Sequence, residues 1–229
     1  MNGDRDKILG RIREALQVDA PARHLGHGAS HVAQKEQPFQ QWLPPVGARF
    51  EEQHALFVRQ CQVLQTEFHE CESPVTVAAK IAQLAEENGW KRLALHAGPL
   101  VNAVAAELPP RLECLAIGEG YDKGALERCD AGLTECESLV AQTGSVCVTS
   151  RSSGGRALSV LPPHHLVVAR REQLVSDLSA AYAQLASRYG GALPSFISFI
   201  SGPSRTGDIE RILVLGAHGP KRLTVFLLP

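Results

Sequence analysis

A chain of 229 residues with 44% hydrophobic and 21% charged residues has an ordinary globular composition. It is long enough to bury a core without disulfides or metals. Its 23 basic and 24 acidic residues leave a formal net charge of −1, which offers no electrostatic footprint for nucleic acid or an anionic membrane surface.

The N-terminus, Met1–Leu16, carries acidic residues and no apolar stretch of the kind a secretion signal needs. Apolar runs elsewhere are of strand length, far below the ~20 residues of a membrane helix. A cytoplasmic protein without a membrane partner is expected. Asp4–Leu16 itself reads as a short amphipathic helix, with Ile8, Ile12, Ala15 and Leu16 near one face. Residues 18–47 hold Pro21, Pro38, Pro44 and Pro45 with little periodicity, which predicts an extended connector. His24, His27 and His31 lie within it. No helix holds that spacing and no Cys or carboxylate cluster accompanies it, so a solvated linker is expected rather than a metal site. The chain is therefore divided into an N-terminal helix and connector, 1–47, and a domain, 48–229.

Residues 48–70 read as helix, because Phe50, His54, Phe57, Cys61, Leu64 and Phe68 recur at spacings of three and four. Ser73-Pro74 supplies an N-cap with proline at the first helical position. That helix runs through Val77, Ile81 and Leu84 to a stop at Gly89. A strand is expected at Arg92–His96, a break at Gly98-Pro99, a helix at Leu100–Leu108 and a strand at Leu112–Ile117. This β–α–β alternation predicts parallel strands with covering helices.

Short β-prone runs follow at Asp130–Thr134, Gly144–Thr149, Ala157–Leu161 and His165–Ala169, with Ser152–Gly155 as a hairpin turn. A helix is expected from Asp177 to Tyr189, capped by Ser176 and ended by Gly190-Gly191. A buried strand, Phe196–Ile200, then feeds the loop Ser201–Thr206, and an amphipathic segment begins near Asp208. A second Gly-rich turn, Gly216–Pro220, leads into the closing apolar run.

Six cysteines, at 61, 71, 114, 129, 136 and 147, include no C-x-x-C pair. Iron–sulfur and zinc sites usually draw two ligands from one tight turn, so reduced structural thiols and no metal are expected.

Three constellations could carry chemistry. In the first, Gly202 lets the backbone approach a ligand, Ser204 and Thr206 offer hydroxyls, and Arg205 offers a planar fork for carboxylate or phosphate. A helix starting near Thr206 or Asp208 would aim free N–H groups at the same place. The competing reading is that Thr206 or Asp208 caps that helix and Arg205 pairs with Asp208 or Glu210. In the second, Thr143, Gly144 and Ser145 open a buried strand behind Gln142, exposing hydroxyls and N–H groups; taken alone, a plain turn explains them better. In the third, His218 stands beside Gly219 in a tight turn, as an acid–base group or as a structural ring. The chain has no Walker loop, no G-x-S-x-G elbow and no G-x-G-x-x-G after a strand. His164-His165 read as the start of a strand and Arg170-Arg171 as a solvated strand end.

S-G-P-S-R-T-G-D-I-E followed by L-G-A-H-G-P-K-R-L-T-V resembles the C-terminal signature of the LUD domain, the family of lactate-utilisation proteins B and C. A-Q-T-G-S-V-C-V resembles the family's A-E-T-G-T segment, L-P-P-H-H-L-V-V its next strand, and R-D-K-I-L-G-R-I-R-E-A-L its opening helix. The similarity covers most of the chain, strongest over 130–229. Length and the lack of cysteine clusters look like the C-type member, LutC; the B-type carries additional ferredoxin-like cysteines.

The resemblance implies an α/β fold, a three-layer Rossmann-like sheet of the NagB/RpiA/CoA-transferase type. It also implies a place in a system that oxidises L-lactate to pyruvate. Iron–sulfur clusters are then expected on LutA-like and LutB-like partners, with no cofactor in this chain. A small carboxylate or other anion is the expected ligand. Arg205 would pair with it, Ser204 and Thr206 would donate to it, Gly144 and Ser145 would face it, and His218 would carry a proton.

One departure matters. The family's Glu before T-G is Gln142 here. An amide cannot serve as a carboxylate nucleophile or base, which excludes a CoA-transferase mechanism through an acyl-glutamate at this position. Two other readings stay open: a noncatalytic assembly subunit of the same system, and a free-standing enzyme on a phosphorylated or CoA-linked metabolite.

Overall fold

A computed structural model describes residues 7–11, 14, 42–118, 122–206, 214–216 and 218–229. The chain divides into two units, Met1–Trp42 and Leu43–Pro229. In the first, residues 7–11 and 14 are helical. The rest of the expected Asp4–Leu16 helix lies outside the described residues, as does most of the connector with His24, His27 and His31.

The second unit opens with α1 (Phe50–Leu64), which ends where Gln65 turns left-handed at φ 60° and its amide closes on Cys61 and Gln62. The helix expected to reach residue 70 therefore stops at 64, and Glu67–Glu70 form strand β1. Phe68 misled the periodicity. It packs edge-on to Phe57 at 5.7 Å, a contact an unbroken helix could not make, since eleven helical residues span about 16 Å. α2 (Pro74–Asn88) follows as expected, capped by Ser73 and stopped by Gly89 in the left-handed region. β2 (Arg92–His96), α3 (Pro99–Ala105), β3 (Glu113–Ile117), α4 (Lys123–Glu127) and β4 (Ala131–Thr134) complete the first half.

The second half carries β5 (Ser138–Val140), β6 (Ser145–Thr149), β7 (His164–Arg170), β8 (Leu174–Val175) and α5 (Leu178–Tyr189). It closes with β9 (Ile197–Ile200), β10 (Arg205–Thr206), β11 (Val214–Leu215) and β12 (Arg222–Leu228). Asp177, not Ser176, caps α5 by accepting from the Ala180 amide. The expected strand Ala157–Leu161 is a run of turns. Leu158 fills the space beside Gly132, and its carbonyl would lie 2.8 Å from a Cβ there. The segment plugs the sheet face instead of joining the sheet.

Six strands form one parallel sheet in the order β1-β12-β7-β4-β2-β3. Alternation sorts its two faces. Leu166 and Val168 of β7 and Phe226 and Leu228 of β12 pack against α2 and α3 through Val77, Ile81, Leu100 and Val104. Val167, Ala169, Val225 and Leu227 face the other way, onto Phe57 and Cys61 of α1 and onto Val146 and Val148. Those last two belong to a second sheet, order β8-β5-β6-β9. Ala94 and Ile117 meet α4 and Leu158 in a third cluster. The result is three layers: α2 and α3, the parallel sheet, then α1, α4 and the small sheet. Among the described residues no helix is long and apolar enough to cross a membrane.

Candidate functional site

Strand order creates a switch point. From β2 the chain moves outward to β3, and it returns to β4 on the other side of β2 before continuing to β7. Connections on the two sides of the β2–β4 pair thus leave in opposite directions, which opens a crevice beyond the strand ends where α/β proteins bind ligands. A cavity of about 390 Å³ lies there. Its walls come from His96 to Pro99 after β2, Glu135 to Glu137 after β4, Arg151 and Ser152 after β6, Gln173, and Arg188 and Tyr189 at the end of α5.

Most polar groups in these walls are satisfied by the protein. Glu137, only 2% exposed, accepts from the Thr149 hydroxyl at 2.7 Å, the Tyr189 hydroxyl at 2.6 Å and Arg188 Nη1 at 2.9 Å. Thr149 Oγ1 in turn accepts the amides of Arg151 and Ser152, both at 3.2 Å. The buried carboxylate therefore sets the loop that carries Arg151. Gln173 donates to the Cys136 carbonyl and accepts from the Arg170 amide. Ser152 accepts the Thr149 amide at 2.9 Å. Glu135 Oε1 accepts the amides of Leu100 at 2.7 Å and Val101 at 3.3 Å, at the start of α3. Gly98 is required beside it, since a Cβ there would collide with the carboxylate.

What remains is a small set. Arg151 lies 5.2 Å over the Tyr189 ring and belongs to none of the six ion pairs among the described residues. His96 has its pKa lowered by burial, with Glu135 and the Arg151 backbone opposing the shift, so its imidazole is neutral at pH 7. Glu135 Oε2 accepts no hydrogen bond among the described residues. A cation, a neutral imidazole and one carboxylate oxygen thus face the same cavity.

The sequence-selected residues gather elsewhere. Gly144 (φ +65°) and Gly202 (φ +86°) both press on the last turn of α1. A Cβ on Gly144 would lie 2.7 Å from Gln60 Cβ, and one on Gly202 would lie 2.9 Å from the Leu64 carbonyl oxygen. Hydroxyls form a chain, Thr143 to Ser145 to Ser201, each step 2.7 Å. Arg205 donates through Nη2 to the Leu64 carbonyl and to Gln65 Oε1, which places its charge at the C-terminus of α1. Ser204 donates its amide to the Pro220 carbonyl, and its own carbonyl accepts from the Gly216 amide. Gly219 stands against Ser204, and His218 is exposed.

The structure thus joins the Thr143–Ser145 turn to the 201–205 loop, and that loop to the 216–220 turn. Of the two expected helix starts, Thr206 and Asp208, the first is excluded, and the expected burial of the strand before the loop fails. Arg205 and Thr206 pair antiparallel with Leu215 and Val214, so a ladder, not a helix start, occupies Thr206. The strand before the loop, β9, is a half-buried member of the small sheet. Asp208 lies outside the described residues. Gln142 donates to the Pro44 carbonyl at 3.0 Å.

These residues and the switch-point cavity lie at opposite ends of β6. Ser145, near Ser201, opens that strand, and Thr149, tied to Glu137, closes it. Four residues of strand separate them by roughly 13 Å. Signals for the cavity existed in the sequence: Gly98-Pro99 after one strand and Glu135-Cys136-Glu137 after another. What periodicity cannot show is that β2 and β4 are neighbours.

All six cysteines are unpaired thiols. Among the described residues, no group of three or more His, Cys, Asp or Glu side chains is arranged to hold a metal.

A parallel sheet covered on both faces, with its cavity at a switch point, defines a three-layer Rossmann-like α/β protein. The crystal structure of a DUF162 family protein from Deinococcus radiodurans shares this fold, with a TM-score of 0.63 at 24% identity, covering 80% of this chain and all of that one. Residues 54–228 match the LUD domain, and the chain belongs to that family. It is 25% identical to lactate utilization protein C of Oceanobacillus iheyensis, over 98% of each chain. A more similar stretch aligns with lactate utilization protein C of Shouchella clausii, 39% identical over 95 residues. That stretch spans 41% of this chain and 42% of the Shouchella protein.

Proposed function

We propose that this chain acts as a LutC-like protein in a system that oxidises L-lactate to pyruvate, and that its switch-point cavity is a pocket for a small carboxylate. Support for the system comes from the relatives named lactate utilization protein C, one of them aligned over nearly the whole chain. In this reading the redox chemistry belongs to iron–sulfur clusters on LutA-like and LutB-like partners in the cytoplasm. This chain binds, orients and shields the carboxylate.

The observation that carries the pocket is the division of labour between Glu135 and Arg151. Glu135 already occupies the amides at the start of α3, where a phosphate would otherwise be received. That disfavours a phosphorylated or CoA-linked ligand at this place. Arg151 keeps its guanidinium outside the ion pairs among the described residues, on the rim of a cavity of small-metabolite size. His96, not the exposed His218, is the imidazole that would lie beside the ligand.

Titration calorimetry with L-lactate and with pyruvate tests the assignment. Arg151→Ala should weaken binding by about tenfold or more, as expected when a charge-assisted hydrogen bond is lost. Arg205→Ala should leave it unchanged, because that side chain serves the end of α1. Affinity lost with Arg205 and kept without Arg151 would move the pocket back to the C-terminal loop.

A further inference from the structure

Glu135 is held at one oxygen only. The amides of Leu100 and Val101 take Oε1, while Oε2 accepts nothing among the described residues and the side chain lines the cavity. The neighbouring acceptors are spoken for: Glu137 has three donors, and the Gln173 amide is engaged at both ends. An acceptor with no donor costs free energy once a ligand displaces its water. It therefore favours a ligand that brings a donor.

We propose that Glu135 is a specificity-determining residue, selecting a 2-hydroxy acid over the corresponding 2-oxo acid and over an unsubstituted carboxylate. The inference rests on the reading that a small carboxylate occupies this cavity. With the ligand carboxylate on Arg151, its 2-hydroxyl donates to Glu135 Oε2. A 2-oxo acid presents a carbonyl oxygen at the same place, so two acceptors face each other. An alkyl carboxylate presents only C–H groups and leaves Oε2 unpaired. Sites built to hydrogen-bond a hydroxyl reject analogues that lack it far more strongly than apolar pockets reject a size change. The anchoring of Oε1 makes the selection rigid, because Glu135 cannot swing away without releasing the first turn of α3.

The carboxamide variant reverses the logic. In Glu135→Gln the side-chain carbonyl still accepts from Leu100 and Val101, and the amide NH₂ then stands where Oε2 stood. The cavity gains a donor and should prefer the oxo acid.

The test compares L-lactate, pyruvate and propionate by titration calorimetry on the full-length protein, then repeats the set on Glu135→Gln. The expected result is L-lactate bound about tenfold or more tightly than pyruvate and propionate by the unaltered protein, with the lactate-to-pyruvate order inverted in the variant. Equal affinity for all three ligands in the unaltered protein overturns the role of Glu135 while leaving the carboxylate pocket intact, and this comparison needs no variant to fold. An unchanged order in a folded Glu135→Gln protein overturns it as well. Failure of all three to bind overturns the pocket itself.

Discussion

Lowering the pH from 7.5 to 5.5 should destabilise this protein through two adjacent buried imidazoles outside the switch-point cavity. His164 and His165 open β7 and are 3% and 1% exposed. His164 Nε2 bonds the Thr224 hydroxyl at 2.7 Å, and His165 Nε2 bonds the Thr134 hydroxyl at 2.9 Å. Trp90 stands edge-on to the His164 ring at 5.1 Å, and neither Nδ1 has a partner among the described residues. Burial, with Arg222 adding to it, lowers His164 from 6.5 to about 4; burial and the neighbouring His164 lower His165 to about 3.

Both folded pKa values lie below the unfolded one. Below pH 6.5 the unfolded chain thus binds protons that the folded chain refuses, and stability falls as pH drops toward 4 and 3. At pH 5.5 each imidazole costs roughly 1.4 kcal/mol, or about 3 kcal/mol for the pair, a large share of a stability of ~5–15 kcal/mol. His69 and His96 are shifted down as well and act in the same direction. The decisive comparison is therefore with His165→Gln, whose amide can still reach Thr134. Urea unfolding followed by circular dichroism at pH 7.5, 6.5 and 5.5, at constant ionic strength, reads the effect. The midpoint should fall with pH, and about half of the pair's fall should vanish in the variant. A midpoint that is flat over this range, or one that falls equally in His165→Gln, would refute the assignment of buried neutral imidazoles.

Other outcomes follow from single contacts. Gly144→Ala adds a Cβ at φ +65° against Gln60 and Leu64, and thermal melts should show a loss of about 1–3 kcal/mol. Glu137→Ala strands the buried Thr149 hydroxyl and takes an acceptor from the Tyr189 hydroxyl and from Arg188, which is 60% exposed and stays solvated; a loss of about 1–3 kcal/mol is expected in urea titrations. Burial raises Cys61 and Cys147 to about 12 and holds Cys136 well above its usual value. A disulfide reagent at pH 8 should therefore label the exposed Cys114 first, and release the remaining thiols only after unfolding in urea.

Much of the fold is legible because its signals are local. Ser73-Pro74 and Gly89 bracket α2, and Arg92–His96 is a strand to the residue. The failures are local readings overruled by distant partners. Glu67–Glu70 lie at helical spacing from α1 but become a strand because β12 offers a ladder from Thr224 to Leu227. Ala157–Leu161 have strand composition, yet they fill the space beside Gly132. Thr206, one of two expected helix starts together with Asp208, is drawn into a ladder by Val214.

The candidate site divides along the same line. Family membership is written in the C-terminal motifs themselves, since a contiguous pattern such as S-G-P-S-R-T-G-D needs no third dimension to be read. The glycines in those motifs also announce close approach, and both Gly144 and Gly202 make one, against α1. Which residues share a cavity is a different kind of fact. Glu135 meets Arg151 and His96 because β4 returns beside β2 and the small sheet carries the loop after Thr149 to the same crevice. Local propensity arises from neighbours along the chain, whereas strand order arises from burying both faces of one sheet at once. The first is carried by every short segment; the second exists only when the whole chain has packed.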